Sequence, residues 1–344
     1  MVMKRDINSL LVKLFLVAFP FLLLLLLYVL CDPFKVLRPY HFENYYDWQP
    51  HELNRENASV SNWRDRLNAA DTPNSYIMGN SRSLAFHCPE WETHLGENAS
   101  AFHFDAASES LYGVLKKLEY LKSHHLPIKN ILLVCDESLL KATKNADDVI
   151  HVKHYSLSGQ SYLLYQSIFV KAFFNNLFCV KFIDYNISHR IKLYMKDVFA
   201  IQPGYFSNKA FQNDYFYTGY ELKLKQDSLG YYSEFKKGEF WARPQQEKTG
   251  EAVIQKESLA MLQAIRRMQT KQKFEFNIII SPLFNQERLA AGDKKVLENL
   301  FGEAHVFDFS GVNAITTNTG NYYESSHYKP FVANQILDSV YRHP

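Results

Sequence analysis

The chain has 344 residues, of which 47% are hydrophobic, 15% aromatic and 22% charged, a composition that excludes a largely disordered protein. The 38 basic and 36 acidic residues give a net charge of +2, and the sequence has no long basic stripe. The charge pattern therefore gives no indication of nucleic-acid binding. The four cysteines form no CxxC pair, so neither a zinc site nor a disulfide framework is indicated.

The N-terminal region predicts one membrane anchor. Lys4, Arg5 and Lys13 precede an uncharged run from Leu14 to Cys31, which as a helix would extend roughly 27 Å, close to the hydrocarbon thickness of a bilayer. A cleaved signal peptide is the competing interpretation, but small residues for a cleavage site are missing. We therefore expect a single-pass protein with a cytoplasmic segment (1–13), a signal anchor (14–31), a juxtamembrane linker (32–73) and an extracytoplasmic domain (74–344), periplasmic if the membrane is a bacterial inner membrane.

After the linker, short apolar runs alternate with helical patterns. Parallel strands joined by crossover helices produce this alternation, so we expect an α/β protein: a three-layer α/β/α domain with a mostly parallel five-stranded sheet, flavodoxin-like in outline. The predicted strands are 75–78, 101–105, 131–135, 276–280 and 305–309, and the predicted helices begin near Ser83 or cover 111–124, 251–269, 286–301 and 330–341.

A segment at about 138–250 interrupts the alternation. It is dense in Tyr, Phe and Asn, and its stretches Asp214–Tyr217 and Gly230–Tyr232 favour a strand or hairpin. We interpret it as an insertion over the functional site. Its aromatic rings suit stacking on sugars or, equally, a second small core or packing on the membrane surface.

Two short motifs carry the candidate chemistry. Gly79-Asn80-Ser81-Arg82 follows the first strand, and Glu324-Ser325-Ser326-His327-Tyr328 lies near the C-terminus. A serine hydroxyl is a poor nucleophile until a base takes its proton, and the base needs an orienting carboxylate. A carboxylate three positions before a histidine can approach Nδ1 and leave Nε2 to face the serine. We predict Ser81 as nucleophile, His327 as general base and acid, and Glu324 as the orienting carboxylate.

These motifs resemble those of the SGNH (GDSL-like) hydrolase superfamily, more narrowly its membrane-anchored bacterial members related to D-alanyl-transfer proteins and alginate O-acetyltransferases. The resemblance covers roughly 74–134 and 276–341. It implies that Ser81 matches the nucleophile of the family's Gly-Asp-Ser pattern and His327 the base of its Asp-x-x-His pattern. Two residues depart from the family: Asn80 stands at its first aspartate, and Glu324 at its triad aspartate.

The developing oxyanion needs hydrogen-bond donors, and the backbone N–H groups around Ser81 and Arg82 are the nearest. The resemblance implies further donors from a glycine after the second strand and an asparagine after the third. Here a backbone N–H of Ala107 or Ser108 would serve at the first place, and Cys135-Asp136-Glu137 offers no asparagine at the second. Arg82 would hold a substrate anion or, as we favour, pair with Asp136 or Asp105. The candidate oxyanion or substrate-binding residues are Asn80, Arg82, Ala107 and Ser108.

Together these features predict an extracytoplasmic serine esterase or O-acyltransferase that acts on ester-linked acyl groups of a cell-envelope glycan through an acyl-serine, with no metal or cofactor. The expected partners are the acylated glycan or another ester, the membrane through the N-terminal helix, and a membrane acyl-donor protein. The alternative is a catalytically decayed SGNH-fold envelope scaffold or glycan-binding protein, which Glu324 and the missing asparagine favour. A Ser81 Oγ to His327 Nε2 distance near about 3 Å would favour chemistry.

Overall fold

The computed structural model describes residues 2–38, 54–69, 72–175, 178–188, 205–206, 212–235, 240, 242–243 and 246–341. Residues 39–53 and 70–71 of the predicted linker, and several stretches of the predicted insertion, lie outside the described residues.

A parallel sheet of five strands lies at the centre of the fold. Its strands are β1 (Ser75–Gly79), β2 (Ala101–His103), β3 (Asn130–Cys135), β4 (Glu275–Ile280) and β5 (Val306–Asp308). The strand order is β2-β1-β3-β4-β5, and every neighbouring pair is parallel. The predicted α/β class and the five parallel strands are confirmed, although β2 and β5 are shorter than their apolar runs.

Helices connect the strands of the sheet. The first half of the chain contains α1 (Val2–Cys31), α2 (Arg55–Asn68), α3 (Cys88–Glu92), α4 (Leu111–Ser123), α5 (Glu137–Lys141), α6 (Tyr155–Ser158) and α7 (Tyr162–Phe174). The second half contains α8 (Phe178–Ser188), α9 (Thr218–Gln226), α10 (Ser228–Phe235), α11 (Lys256–Gln272), α12 (Ala291–Phe301), α13 (Ala314–Thr317) and α14 (Pro330–Tyr341).

Shorter elements complete the fold. Turns of 3-10 helix cover Ser81–Ala85, Glu303–His305 and Thr319–Asn321. Antiparallel pairs join Tyr205–Phe206 to Tyr215–Phe216 and Tyr322–Glu324 to His327–Tyr328, and a parallel pair joins Lys248–Thr249 to Glu287–Arg288.

Four local predictions were wrong. The helix expected over 251–269 begins only at Lys256 and ends at Gln272. The helix expected from Ser83 is only the 3-10 turn Ser81–Ala85. The helix expected over 286–301 begins at Ala291, because the backbone of Glu287–Arg288 pairs as a strand. The strand favoured at Gly230–Tyr232 is part of α10, whose first turn is stabilised by Asp227 accepting a hydrogen bond from the Gly230 N–H.

Successive strand residues contribute alternately to two hydrophobic clusters, as the period of two in a strand requires. Tyr76 and Met78 of β1 belong to the cluster formed with α2, α4, α11 and α12, whereas Ile77 belongs to the cluster formed with α3 and α14. α2 lies within the predicted linker yet packs here through Trp63, whose ring stacks on Phe104 at a centroid distance of 5.7 Å. Each cluster combines strand residues with helix residues, and the carboxyl ends of the strands carry the candidate site.

Residues Ser9–Cys31 of α1 are long and apolar enough to span a membrane. The C-terminal end of this helix packs against the domain, because Tyr28 is buried with its ring centroid 5.2 Å from that of Phe173. Arg38 donates hydrogen bonds to the carbonyl oxygens of Val29 and Leu30, which have no helical partner at a helix end. Because Tyr28 is part of the packed interior, measurements on this protein require the full chain in detergent.

Candidate active site

The Gly79–Ser81 turn places a serine at the carboxyl end of β1. A side chain at Gly79 would put its Cβ 2.5 Å from the Val134 carbonyl oxygen, so only glycine fits where β1 passes β3. Asn80 then caps the following 3-10 turn by accepting the Arg82 N–H at 3.1 Å. Ser81 is the first residue of that turn and is partly exposed.

The structure brings Ser81, His327 and Glu324 together. Ser81 Oγ lies 2.8 Å from His327 Nε2, and His327 Nδ1 contacts Glu324 Oε1. The second oxygen of Glu324 accepts a hydrogen bond from the Ser326 N–H at 2.7 Å. The side chains of His327 and Glu324 retain 15% and 12% of their solvent exposure, so the two groups are not fully buried.

A tight hairpin explains how glutamate serves at this place. Glu324 and His327 are paired residues of antiparallel strands, separated only by the two turn residues Ser325 and Ser326. Paired residues flanking such a turn extend their side chains on the same side, within mutual reach. Tyr322 fixes the hairpin by donating its hydroxyl to the Pro282 carbonyl oxygen at 3.0 Å. The additional methylene of glutamate is therefore accommodated without loss of contact to Nδ1.

Asp136, at the end of β3, organises the opposite side of the serine turn. It accepts hydrogen bonds from Asn80 Nδ2 at 2.7 Å, from the Leu139 N–H at 3.0 Å, from Ser138 and from Arg82. Burial alone would raise the pKa of Asp136, but the Arg82 charge and these hydrogen bonds outweigh it and hold the pKa below its ordinary value. The ionised carboxylate therefore stabilises the fold near neutral pH, and this contribution is lost as the pH falls through the lowered pKa.

Asn80 and Arg82 are thus occupied by structural contacts. Of the two acids expected to pair with Arg82, the partner is Asp136, whereas Asp105 pairs with Arg55 at 2.8 Å. The Arg82 N–H already donates to Asn80, so it is engaged before any substrate arrives. The side chains of Asn80 and Arg82 both bind Asp136, so both already have partners within the protein.

Ala107 and Ser108 lie in the loop that follows β2, at the same sheet edge as Ser81. The preceding Ala106 N–H donates to the Gly79 carbonyl oxygen at 3.3 Å, which ties this loop to the serine turn. Ser108 is exposed and has a φ of 45°, in the left-handed region that serine rarely adopts. The hydrogen bond of Ala106 therefore places the loop that contains these two residues next to the serine turn.

Aromatic residues of the insertion cover the histidine side of the site. The buried Tyr217 has its ring centroid 5.2 Å from the His327 ring, and it packs with Tyr323 and Leu84. Burial, with added repulsion from Tyr215 and Glu324, raises the pKa of the Tyr217 hydroxyl well above its ordinary value. These rings form a small core around the hairpin that carries Glu324 and His327. The contact of Tyr217 with His327 had no local sequence signal, because it joins residues 110 positions apart.

Glu137, next to Asp136, is the most unusual titrating group near the site. Its Oε1 atom is buried and has no hydrogen-bond partner among the residues that the structure describes. Burial, then repulsion from Glu287, Asp293 and Asp136, raises its pKa to about 7. In an unfolded chain a glutamate has a pKa near about 4.3, so ionisation of Glu137 opposes folding as the pH rises from there through 7.

Glu137→Gln is therefore expected to raise the thermal unfolding midpoint of the full chain by roughly 1–3 °C at pH 8 and by clearly less at pH 5, where only the lower part of this pH window has been passed. Differential scanning fluorimetry at the two pH values measures the difference. Glu257→Gln, at an exposed glutamate on α11, is the matched control and should shift neither midpoint. An equal gain at both pH values would show that repulsion at Glu137 is not the cause.

Chemically, the array provides a hydroxyl, a base positioned to take its proton and a carboxylate that orients the base. Of the predicted site residues, Ser81, His327 and Glu324 form one continuous series of contacts, Asn80 and Arg82 support the turn through Asp136, and Ala107 and Ser108 border it. No protein-family model matches the sequence, and a search of characterised proteins finds no significant relative.

Proposed function

We propose that this protein is a serine esterase or O-acyltransferase that uses Ser81 as its nucleophile. The observation that carries the proposal is the Ser81–His327–Glu324 series, with 2.8 Å between Ser81 Oγ and His327 Nε2. A hydroxyl and an imidazole at this distance are ready for proton transfer, and the carboxylate at Nδ1 selects the tautomer in which Nε2 accepts.

The reaction has two halves. His327 Nε2 takes the Ser81 proton while Oγ attacks the acyl carbonyl carbon, and the imidazolium then gives that proton to the departing alcohol. An acyl-serine remains. Water, or a sugar hydroxyl in the transferase branch, gives its proton to His327 and attacks this ester, after which the proton returns to Oγ. The proposed oxyanion donors are the backbone N–H of Ser81 and that of Ala107 or Ser108.

The substrate class and location belong to the same proposal. α1 would span the bacterial inner membrane once, with the basic residues Lys4, Arg5 and Lys13 on the cytoplasmic side and the domain outside it. The domain would then lie beside acylated envelope glycans and within reach of a membrane acyl-donor protein. Because the α1 end packs on the domain through Tyr28, the site would stay at a limited distance from the bilayer.

An SGNH-like three-layer α/β/α architecture is the fold part of the proposal. It is supported by the parallel five-stranded sheet, by strand residues that alternate between two hydrophobic clusters, and by a serine turn directly after β1. The decayed-scaffold alternative would be favoured by a separated or blocked pair, and the short Ser81 to His327 distance argues against it. We therefore retain the catalytic proposal.

Covalent trapping tests this proposal. The full chain in detergent is treated with a fluorophosphonate probe, digested with trypsin and mapped by mass spectrometry. Trypsin cuts after Arg82, so Ser81 and the neighbouring Ser83 fall on different peptides. We expect one adduct, on Ser81, and none on heat-denatured protein, because reactivity depends on the folded array. An adduct on another serine, or equal labelling after denaturation, would count against the assignment.

A further inference from the structure

A second series of serine, histidine and carboxylate lies directly beneath the candidate nucleophile. Ser83 Oγ is 3.0 Å from His103 Nε2, and His103 Nδ1 is 3.3 Å from Asp214 Oδ1. Ser83 and His103 have no solvent exposure, and Asp214 has 2%. No substrate can reach these groups without unfolding the sheet edge, so this series does not perform acyl transfer itself.

The buried series ends on the backbone of the nucleophile turn. The Ser83 hydroxyl donates its single proton to the Asn80 carbonyl oxygen at 2.8 Å. Because this proton is used, Ser83 Oγ presents its lone pairs to His103 Nε2, and His103 Nδ1 faces the carboxylate of Asp214. Asn80 immediately precedes Ser81, so the hydrogen bond from Ser83 to the Asn80 carbonyl oxygen fixes the backbone next to Ser81.

The carboxylate of this series comes from the insertion. The Gln212 carbonyl oxygen accepts the His103 N–H at 2.9 Å, at the edge of the sheet, and Asp214 Oδ2 accepts the Cys88 N–H at 2.9 Å. Three residues after Asp214, Tyr217 packs on the His327 ring. The short segment from Asp214 to Tyr217 thus makes two contacts: Asp214 contacts His103, and Tyr217 contacts His327, the proposed base.

We propose that His103 is a positioning residue, which links Asp214 of the insertion to Ser83 and thereby holds the Asn80–Ser81 turn with Oγ facing His327. The effect on turnover rests on the proposed esterase or acyltransferase function, whereas the effect on the turn itself does not. The series acts on Ser81 through the backbone and has no contact with substrate.

Ser83→Ala is the primary test, because it removes one hydroxyl and leaves the buried volume almost unchanged. With p-nitrophenyl acetate and the full chain in detergent, we expect kcat to fall about 10- to 100-fold with KM unchanged, since a misplaced nucleophile slows chemistry more than binding. Asp214→Ala should cause a similar loss, and the double variant little more than either single one, because the groups act as one unit. Asp214→Asn, which keeps an acceptor for Cys88, should recover part of the rate.

Ser75→Ala is the matched control. Ser75 is as buried as Ser83 but begins β1, at the end of the strand away from the serine turn, so its loss should leave kcat unchanged. Hydrogen exchange of peptides covering residues 79–86 gives a readout independent of activity. Faster exchange there in Ser83→Ala, but not in Ser75→Ala, supports the positioning role even if the wild-type protein hydrolyses no ester. Unchanged exchange in this segment, or additive losses in the double variant, would overturn it.

Discussion

Ser81→Ala is expected to lower kcat for p-nitrophenyl acetate by at least about 10³-fold, while the thermal unfolding midpoint stays within about 1 °C of wild type. The reason is that the acyl-serine cannot form without Oγ, and the remaining donors support only slow attack by water. Ser81 is partly exposed, so losing its hydroxyl leaves no large cavity. Steady-state kinetics on the full chain in detergent, together with the fluorophosphonate adduct, measures the effect.

Ser326→Ala provides the matched control for this variant. Ser326 lies in the catalytic hairpin and contributes its backbone N–H to Glu324, an interaction that alanine retains. We expect wild-type kcat from this control. If Ser81→Ala and Ser326→Ala hydrolyse the ester at the same rate, the nucleophile assignment fails and the decayed-scaffold alternative becomes the better account.

Glu324→Gln is expected to lower kcat about 10²- to 10⁴-fold with little change in KM. The carboxylate accepts the Nδ1 proton of His327, which leaves Nε2 free to take the proton of Ser81. A glutamine amide can instead donate to Nδ1 and hold the tautomer in which Nε2 already carries a proton. The base then faces the nucleophile in the wrong state.

Glu324→Asp distinguishes the effect of the negative charge from the effect of side-chain length. Aspartate keeps the carboxylate but is shorter by one carbon–carbon bond, about 1.5 Å, so on this hairpin it cannot hold both His327 Nδ1 and the Ser326 N–H. We expect an intermediate loss of about 10- to 100-fold. Glu221→Gln removes a nearby carboxylate that contacts Tyr323 rather than His327, and it should leave kcat near wild type. Full activity in Glu324→Gln would remove glutamate from the mechanism.

The predicted elements with the clearest sequence patterns agree most closely with the observed strands and helices. The apolar run ending at Gly79 forms β1, the continuous run 131–135 lies within β3, and the last helix begins at Pro330. The two strands are continuous apolar runs and are almost fully buried, whereas the helix buries apolar residues at helical spacing. The segment Gly230–Tyr232 has only a weak pattern. It is helical and not extended, and Asp227 stabilises the start of that helix by accepting a hydrogen bond from the Gly230 N–H.

The candidate site divides in the same way. The sequence indicated Ser81 and His327 because each lies in a recognisable local motif. It offered Asp136 and Asp105 as alternative partners of Arg82, but it gave no sign that Asp136 would also engage Asn80, nor that His103 and Asp214 would meet below the serine turn. These contacts join residues 54 to 111 positions apart, and only chain topology determines such distances.

By itself, the sequence determined the apolar N-terminal helix, the α/β alternation and the two motifs that carry hydroxyl, imidazole and carboxylate, because local periodicity and turn chemistry are written in neighbouring residues. Tertiary structure alone decided that a two-residue hairpin lets Glu324 reach His327, that Tyr28 packs into the domain and that Asp214 meets His103. The physical reason is that hydrogen bonds and ring contacts depend on positions within a few tenths of an ångström, which arise only when distant segments pack against the same sheet.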